Sequence, residues 1–188
     1  MCTTPPVDGY LNGMIDVRHA VPEDADELMR LRVIMLTGMT GAPPTAGPWQ
    51  EAGVTILRRG LGPSLAAFVV DDVDRPGRLA ACALGTIEQR LPNPQNASGR
   101  FGYVFNVATD PGCRRRGYSR ACVQALLRWF DEHDVPAVDL KASPEGEPLY
   151  ASLGFRHTTQ PGMRRSSGHP LSVQDVGRAG DHQRGRHQ

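Results

Sequence analysis

Apolar residues recur with a helical period over residues 118–130. The spacing repeats as three, one, three and one, and only a helix places such positions on one face. These positions are Tyr118, Ala121, Cys122, Ala125, Leu126, Trp129 and Phe130. Apolar runs of strand length precede this helix at residues 64–70, 78–88 and 102–109, with turn-forming residues between them. Consecutive strands joined in this way predict an antiparallel meander.

The pattern predicts two helices before the meander. Pro22 suits the first turn of a helix, and Glu23 and Asp24 complement the positive end of its dipole. The core face of this helix is formed by Ala25, Leu28, Met29, Met35 and Leu36. A Gly- and Pro-rich break at residues 38–48 separates it from a second helical segment at residues 49–59.

The chain after residue 130 alternates between strand and helix patterns. A strand is predicted at residues 137–141, then a short helix that ends near Leu153, and a last strand from Phe155. This alternation places an α/β layer on the meander. We therefore expect an α/β (α+β) fold, with a mixed, mostly antiparallel central sheet flanked by helices in a single domain.

The two ends of the chain lack these patterns. Residues 1–13 carry Pro, Gly and Thr without periodicity, so we expect a flexible leader. Residues 166–188 have no aromatic residue and are rich in Gly, His, Arg and Gln, which is typical of a disordered tail. The folded domain is accordingly expected at residues 14–165.

Composition narrows the class of protein. The 188 residues are about one domain, 39% hydrophobic and 22% charged, and the formal net charge of +1 favours neither nucleic acid nor an anionic membrane as a partner. The four cysteines form no Cys-x-x-Cys pair, so neither a metal site nor a disulfide scaffold is expected. No apolar run approaches the ~20 residues of a membrane span. A cytoplasmic location is the simplest expectation.

A basic loop at residues 110–117 leads into the helix that starts at Tyr118. Helix starts expose unpaired backbone N–H groups, and Gly117 allows a ligand to approach the backbone closely. Arginines at this end oppose the helix dipole unless an anion binds there. The segment therefore predicts a phosphate site formed by Arg114, Arg115, Arg116 and Arg120 with the backbone.

Three other interpretations of this segment carry less weight. Arg114, Arg115 and Arg116 are also compatible with a solvated charge run, or with a nucleic-acid patch, although aromatic residues are not interleaved with them. Residues 117–121 approximate the Gly-x-Ser-x-Gly elbow of serine hydrolases. Such an elbow needs its serine directly after a strand, whereas residues 110–116 intervene before Ser119.

Two motifs in this order resemble a known family. Arg114-x-x-Gly117-x-Ser119 resembles the Arg/Gln-x-x-Gly-x-Gly/Ala signature with which GCN5-related N-acetyltransferases (GNAT) bind the pyrophosphate of acetyl-coenzyme A. Residues 149–155, Leu-Tyr-Ala-Ser-Leu-Gly-Phe, resemble the second signature of that family. The resemblance extends over about residues 14–165. Ser119 departs from the usual Gly or Ala at this position. Its side chain either crowds the phosphate slightly or donates a hydroxyl hydrogen bond to it.

The resemblance implies a function and a set of site residues. It implies a GNAT-like fold and an N-acetyltransferase that moves an acetyl group from acetyl-CoA, as co-substrate, to a primary amine on a small molecule or peptide. The amine would attack directly in a ternary complex, without a metal. The coenzyme would lie on the backbone of Asn106, Val107 and Thr109 and on the loop residues Arg114, Arg115, Arg116, Gly117, Tyr118, Ser119 and Arg120. Members of the family often form homodimers, which the residues themselves do not indicate.

The resemblance also implies a general acid, whereas the base is open. Tyr150 matches the family tyrosine that protonates the departing thiolate, and its alternative role is that of a core aromatic. An amine acceptor must also lose a proton. Glu88, at the end of its strand run, is the leading candidate for the base, with a solvated strand end as the alternative, and Asp110 is interpreted as a turn residue. A non-catalytic acyl-CoA-binding regulatory module remains the alternative function.

Overall fold

The computed structural model describes residues 15–159, 162–163 and 165. Its strands are β1 (Arg18–His19), β2 (Leu65–Asp71), β3 (Leu79–Gln89), β4 (Arg100–Thr109) and β5 (Ala137–Leu140). Its helices are α1 (Ala25–Thr40), α2 (Pro48–Gly60), α3 (Tyr118–Glu132) and α4 (Glu147–Ala151). The predicted leader and tail lie outside the described residues. Among the described residues, no helix is both long and apolar enough to cross a membrane.

The strands form one sheet in the order β1-β2-β3-β4-β5. The first four strands pair antiparallel, and β5 pairs parallel with β4. The parallel pair is connected through α3, as parallel neighbours require a crossover. This mixed, mostly antiparallel sheet flanked by helices confirms the predicted fold class, including the meander of β2, β3 and β4.

A hydrophobic core lies on each face of the sheet. Along β3, Ala81 and Ala83 pack in the core beneath α3, whereas Cys82 and Leu84 pack in the core beneath α1 and α2. This alternation is the period of two that a strand buried on both faces produces. The apolar stripe predicted for α3 is buried at Cys122, Ala125, Leu126, Trp129 and Phe130.

A bulge in β4 exchanges the two faces of that strand. Leu84 pairs with Phe105 and Cys82 pairs with Ala108, so Asn106 and Val107 together lie opposite Ala83. Asn106 has a φ of 49°, in the left-handed region that asparagine adopts more readily than most residues. The extra residue changes the alternation, as a bulge must. On a regular strand Phe105 and Val107 would share a face. Because of the bulge, Phe105 packs toward α1 and α2, and Val107 packs toward the α3 core.

The structure differs from the predicted elements at three places. The break predicted at residues 38–48 begins later, because α1 continues through Gly38 to Thr40. Pro22 begins a short 3-10 turn, Pro22–Asp24, and the α-helix starts only at Ala25. The strand predicted from Phe155 is wrong for the described part of the chain, because residues 155–158 adopt neither helix nor strand. The compact unit with all the helices and strands ends at Phe155, and in Arg156–Gln188 the described residues have no regular structure.

Candidate functional site

The edge of β4 opens where β5 leaves it. The parallel ladder between the two strands runs from Phe101, opposite Ala137, to Val104, opposite Leu140. Strand β4 continues for residues 105–109, and within residues 15–159 no strand pairs with this side of that segment. An unpaired strand edge presents backbone N–H and C=O groups that can bind an extended ligand.

The basic loop connects this open edge to the start of α3. Asp110 accepts a hydrogen bond from the Gly112 N–H at 3.1 Å, which confirms that Asp110 is a turn residue. Farther along the loop, Arg115 and Gly117 have φ values of 64° and 83°. Gly117 is the N-cap of α3, and no side chain caps the helix. The first amides of α3 therefore have no side-chain cap, which is the arrangement that can bind an anion through the backbone.

A cavity of about 650 Å³ lies between the end of β4, the start of α3 and α4. The predicted site residues that line it are Val107, Thr109, Arg114, Arg115, Gly117, Tyr118, Ser119, Arg120 and Tyr150. Two motifs that are separated along the chain, the basic loop and the Leu149–Tyr150 segment, thus meet across one cavity. Guanidinium groups and helix amides on the same wall are complementary to phosphate oxygens.

Two polar contacts hold this wall together. The hydroxyl oxygens of Thr109 and Ser119 lie 2.5 Å apart and join the end of β4 to the first turn of α3. Arg120 donates to the Ser152 hydroxyl at 2.8 Å and thereby connects α3 with the segment after α4. Ser119 lies inside the first turn of α3, not directly after a strand, which is unlike the serine of a hydrolase elbow.

Tyr150 lines the cavity from α4. Its side chain is half-buried, and its ring meets the Phe155 ring edge-on with 5.9 Å between the ring centroids. Burial raises the pKa of the Tyr150 hydroxyl above its ordinary value of 10.0, so the phenol stays protonated at neutral pH. A protonated phenol at a cavity wall has the protonation state that a general acid requires.

Three of the residues predicted from sequence do not line the cavity. The Cys82 thiol donates a hydrogen bond to the backbone carbonyl of Asn106 at 3.3 Å, so this carbonyl already has a partner within the sheet. Arg116 is exposed and lies against the Tyr118 hydroxyl, which raises the pKa of Arg116. Glu88 lies at the other end of the meander, where it pairs with Arg90 at 2.8 Å.

The distance along β4 separates Glu88 from the open edge. Glu88 lies opposite Phe101, whereas Val107 is six residues farther along β4. At roughly 3.3 Å per residue, this separation is on the order of 20 Å. The structure therefore does not bring Glu88, the base predicted from sequence, to the cavity that contains Val107 and Tyr150.

The structure adds cavity residues that the sequence patterns did not assign to the coenzyme site. One group comes from the second half of α1, and the other from the turn before α4. They are Ile34, Met35 and Gly38 in the first group and Ser143, Glu145 and Gly146 in the second. A β-carbon at Gly146 would lie 3.3 Å from the Tyr150 ring, so the absence of a side chain lets that ring lie against the turn. The turn composition of residues 143–146, directly before the second motif, is the signal that could have indicated this group.

Comparison with protein families gives one match, which covers most of the folded chain. A profile of the Acetyltransferase (GNAT) family matches residues 35–155. This interval contains the open strand edge, the basic loop and α4. None of the curated proteins compared with this chain matches it significantly.

Similar solved structures span nearly the whole fold. A predicted acetyltransferase from Clostridium acetobutylicum, crystallised with acetyl-CoA, is 23% identical with a TM-score of 0.68, over 81% of this chain and 96% of its own. A putative acetyltransferase from Agrobacterium tumefaciens is 26% identical with a TM-score of 0.62, over 81% and 100%. Glucosamine-6-phosphate N-acetyltransferase from Arabidopsis thaliana is 19% identical with a TM-score of 0.61, over 80% and 97%.

Proposed function

The chain belongs to the Acetyltransferase (GNAT) family, and from this membership we propose that it is an N-acetyltransferase. It moves the acetyl group of acetyl-CoA to a primary amine by direct attack in a ternary complex. The observation that carries this proposal is the unpaired edge of β4 at residues 105–109, which leads directly to the uncapped start of α3.

The open edge of β4 suits the pantetheine arm of the coenzyme. This arm contains two amide groups, which can pair with the backbone of residues 105–109 as an added strand would. The cavity, at about 650 Å³, is within the range that accommodates a ligand of this class. Val107 and Thr109 line the cavity, so their backbone groups are our candidates for these bonds.

The start of α3 suits the pyrophosphate. The amides after Gly117 have no side-chain cap, and the helix dipole favours negative charge at this end. Arg114 and Arg115 line the same wall and can pair with phosphate oxygens. The ligand anion would also remove the unfavourable interaction between these arginines and the helix dipole. We propose that Ser119, Tyr118 and Arg120 complete the phosphate site.

The proposed transfer step takes place at the thioester end of the pantetheine arm. The amine nitrogen attacks the thioester carbonyl carbon, and the Val107 N–H stabilises the oxyanion that develops. The C–S bond then breaks, and Tyr150 donates its phenolic proton to the leaving thiolate. The amine proton passes to water or to a carboxylate. Glu145 is the carboxylate that the described residues bring to the cavity wall, so it replaces Glu88 as our candidate.

The acceptor is proposed to be a small-molecule amine. The similar Arabidopsis thaliana protein is a glucosamine-6-phosphate N-acetyltransferase, and its acceptor is therefore a small amino sugar phosphate. In the present chain Ile34, Met35 and Gly38 bring the second half of α1 to the cavity. We propose that this end of α1, with the connection to α2, contacts the acceptor.

Isothermal titration with acetyl-CoA tests the proposal. The wild-type protein should bind, and the Arg114→Glu, Arg115→Glu double variant should lose binding by at least roughly a hundredfold, because two charge-assisted contacts become repulsive. An Arg59→Glu, Arg128→Glu variant is the matched control, since both residues are exposed and neither lines the cavity. Absence of binding to the wild type would overturn the proposal. Binding without thiol release toward any of a panel of amines would favour an acyl-CoA-binding regulatory module.

A further inference from the structure

Three charged side chains meet where the basic loop leaves β4, and none of them lines the cavity. The carboxylate of Asp110 lies between the guanidinium groups of Arg30 and Arg75, and we call these three residues the loop clamp. We propose that the loop clamp positions the basic loop for coenzyme binding, with Arg75 as a positioning residue that touches no part of the ligand. This inference rests on the proposed function, because it assigns the basic loop to the phosphates of acetyl-CoA.

Asp110 is the central group of the clamp. It is 5% exposed and comes directly after β4, at the first position of the basic loop. Its Oδ2 accepts a hydrogen bond from Arg30 Nη1 at 2.7 Å, and its Oδ1 lies 3.0 Å from Arg75 Nη2. Oδ1 also accepts the Gly112 N–H. Each carboxylate oxygen is therefore bound by an arginine while the carboxylate shapes the turn that begins the loop.

Arg30 anchors the clamp to the body of the protein. It projects from α1, donates from Nε to the Glu27 carboxylate at 2.9 Å and donates from Nη2 to the Leu79 carbonyl at 2.8 Å. Its side chain is 20% exposed. Four hydrogen bonds to three residues, Glu27, Leu79 and Asp110, define the position of this guanidinium. The Oδ2 side of Asp110 is therefore held by a rigid group.

Arg75 holds the other side of Asp110 from the β2–β3 hairpin. It donates to the Asp72 carboxylate at 2.6 Å, and Asp72 is itself buried. Cys113 Sγ lies 3.6 Å from the same Asp72 carboxylate, and Cys113 lines the cavity beside Arg114. The hairpin thus contacts the basic loop at its first residue, Asp110, and again at Cys113. Removal of Arg75 would release the contact with Asp110 and the contact that Arg75 Nη2 itself makes with Cys113 Sγ at 4.0 Å.

The clamp also controls the charge beneath the phosphate site. A buried carboxylate at Asp110 would repel the coenzyme phosphates if it were not neutralised. Arg30 and Arg75 supply this neutralisation, and neither residue lines the cavity. Loss of Arg75 should therefore weaken phosphate binding in two ways, by loosening the loop and by exposing the negative charge of Asp110 to the ligand.

Steady-state kinetics with two acetyl donors separates this role from a general effect on stability. Acetyl-CoA carries the phosphates, whereas S-acetylpantetheine has the same thioester and arm without the pyrophosphate. For Arg75→Met we expect the KM for acetyl-CoA to rise roughly tenfold or more, because a small displacement of binding groups has a large effect. We expect kcat to change less than about twofold, and kcat/KM for S-acetylpantetheine to stay at the wild-type value, since transition-state contacts at Val107 and Tyr150 are unaffected.

Arg58→Met is the matched control. Arg58 and Arg75 each form an ion pair at 2.6 Å and have side chains that are 55% and 45% exposed, but Arg58 contacts Asp26 on α1 and not the basic loop. Arg58→Met should leave KM and kcat unchanged with both acetyl donors. Arg75→Lys keeps the charge without the two-pronged geometry, and should restore part of the loss.

The outcomes distinguish the inference from the proposed function. Equal losses with both donors, or a loss that tracks the melting temperature across the variants, would overturn the positioning role of Arg75. An unchanged KM for acetyl-CoA in Arg75→Met would overturn it as well. If the wild type binds neither donor, the proposed function itself fails.

Discussion

The hydroxyl oxygens of Thr109 and Ser119 lie 2.5 Å apart and connect the last residue of β4 to the first turn of α3. The basic loop lies between these two residues, so this contact closes the loop at its base. One of the two hydroxyls must donate to the other. If Thr109 donates, the Ser119 proton can bind a phosphate oxygen, which is the role that we propose for this serine in place of the usual Gly or Ala.

Ser119→Ala should weaken the binding of acetyl-CoA by roughly tenfold. The reason is the loss of one hydroxyl hydrogen bond to a charged oxygen, worth about 1.5 kcal/mol. Isothermal titration measures the affinity. Gln124→Ala, at an exposed position of the same helix, is the control. Tighter binding by the alanine variant would instead mean that the serine side chain crowds the phosphate.

Tyr150→Phe should lower kcat by roughly a hundredfold or more, because the variant cannot protonate the leaving thiolate. The affinity for acetyl-CoA should change little, since the ring and its contact with Phe155 are retained. Tyr103→Phe is a matched control, because Tyr103 is half-buried on β4 but does not line the cavity. Unchanged turnover would refute the role of Tyr150 as acid without refuting acetyl transfer.

Glu88→Gln should leave kcat within about twofold of the wild-type value. Glu88 is 49% exposed and lies outside the cavity, so a direct proton transfer from the amine has no path to it. The same substitution at Glu145 is the comparison, and Glu145→Gln should lower kcat at a pH below the amine pKa. A large loss of kcat in Glu88→Gln but not in Glu145→Gln would instead support Glu88 as the general base.

The stability of the protein should decrease in acid through Asp110. Burial alone would raise the pKa of Asp110, but hydrogen bonds from Arg75, Gly112 and Arg30 outweigh it and hold the pKa below the ordinary value of 3.8. A carboxylate whose pKa is lower in the folded state stabilises the protein above the unfolded pKa, and this contribution is lost as the pH falls through the folded pKa.

Urea unfolding at several pH values measures this contribution. The difference in unfolding free energy between the wild type and Asp110→Asn should be constant from about pH 7 to pH 5, where the carboxylate is charged in both states. It should then shrink below about pH 4. A difference that stays the same at pH 3 would contradict the assignment of the lowered pKa to Asp110.

Gly85→Ala should destabilise the fold by about 1–3 kcal/mol, as overpacking of a dense core does. A β-carbon at Gly85 would lie 2.7 Å from the Phe130 ring and 2.9 Å from Leu126. Gly38→Ala should have the opposite sign, because Gly38 lies in α1 with open space around it and glycine costs a helix about 0.5–1 kcal/mol. Urea denaturation at pH 7 compares both variants with the wild type.

Local patterns in the sequence are sufficient to predict most of the elements. The apolar period of α3, the runs of β2, β3 and β4, and the turns between them depend on residues only a few positions apart, where periodicity is informative. The prediction of the strand from Phe155 was wrong for the described residues because a run of four residues has no period to test. The uncapped helix start after Gly117 was also predictable, since it depends on the adjacent residues.

The site required contacts that no local pattern contains. The bulge at Asn106, the end of the β4–β5 ladder at Val104 and the place of Glu88 all depend on strand register, which is decided by pairing between distant segments. Arg75 reaches Asp110 from a hairpin 35 residues earlier in the chain. The sequence by itself therefore determined most of the elements, the fold class and the basic helix start, because these follow from near neighbours. Only the tertiary structure decided which side chains meet at the cavity, because register and long-range ion pairs are properties of the folded chain.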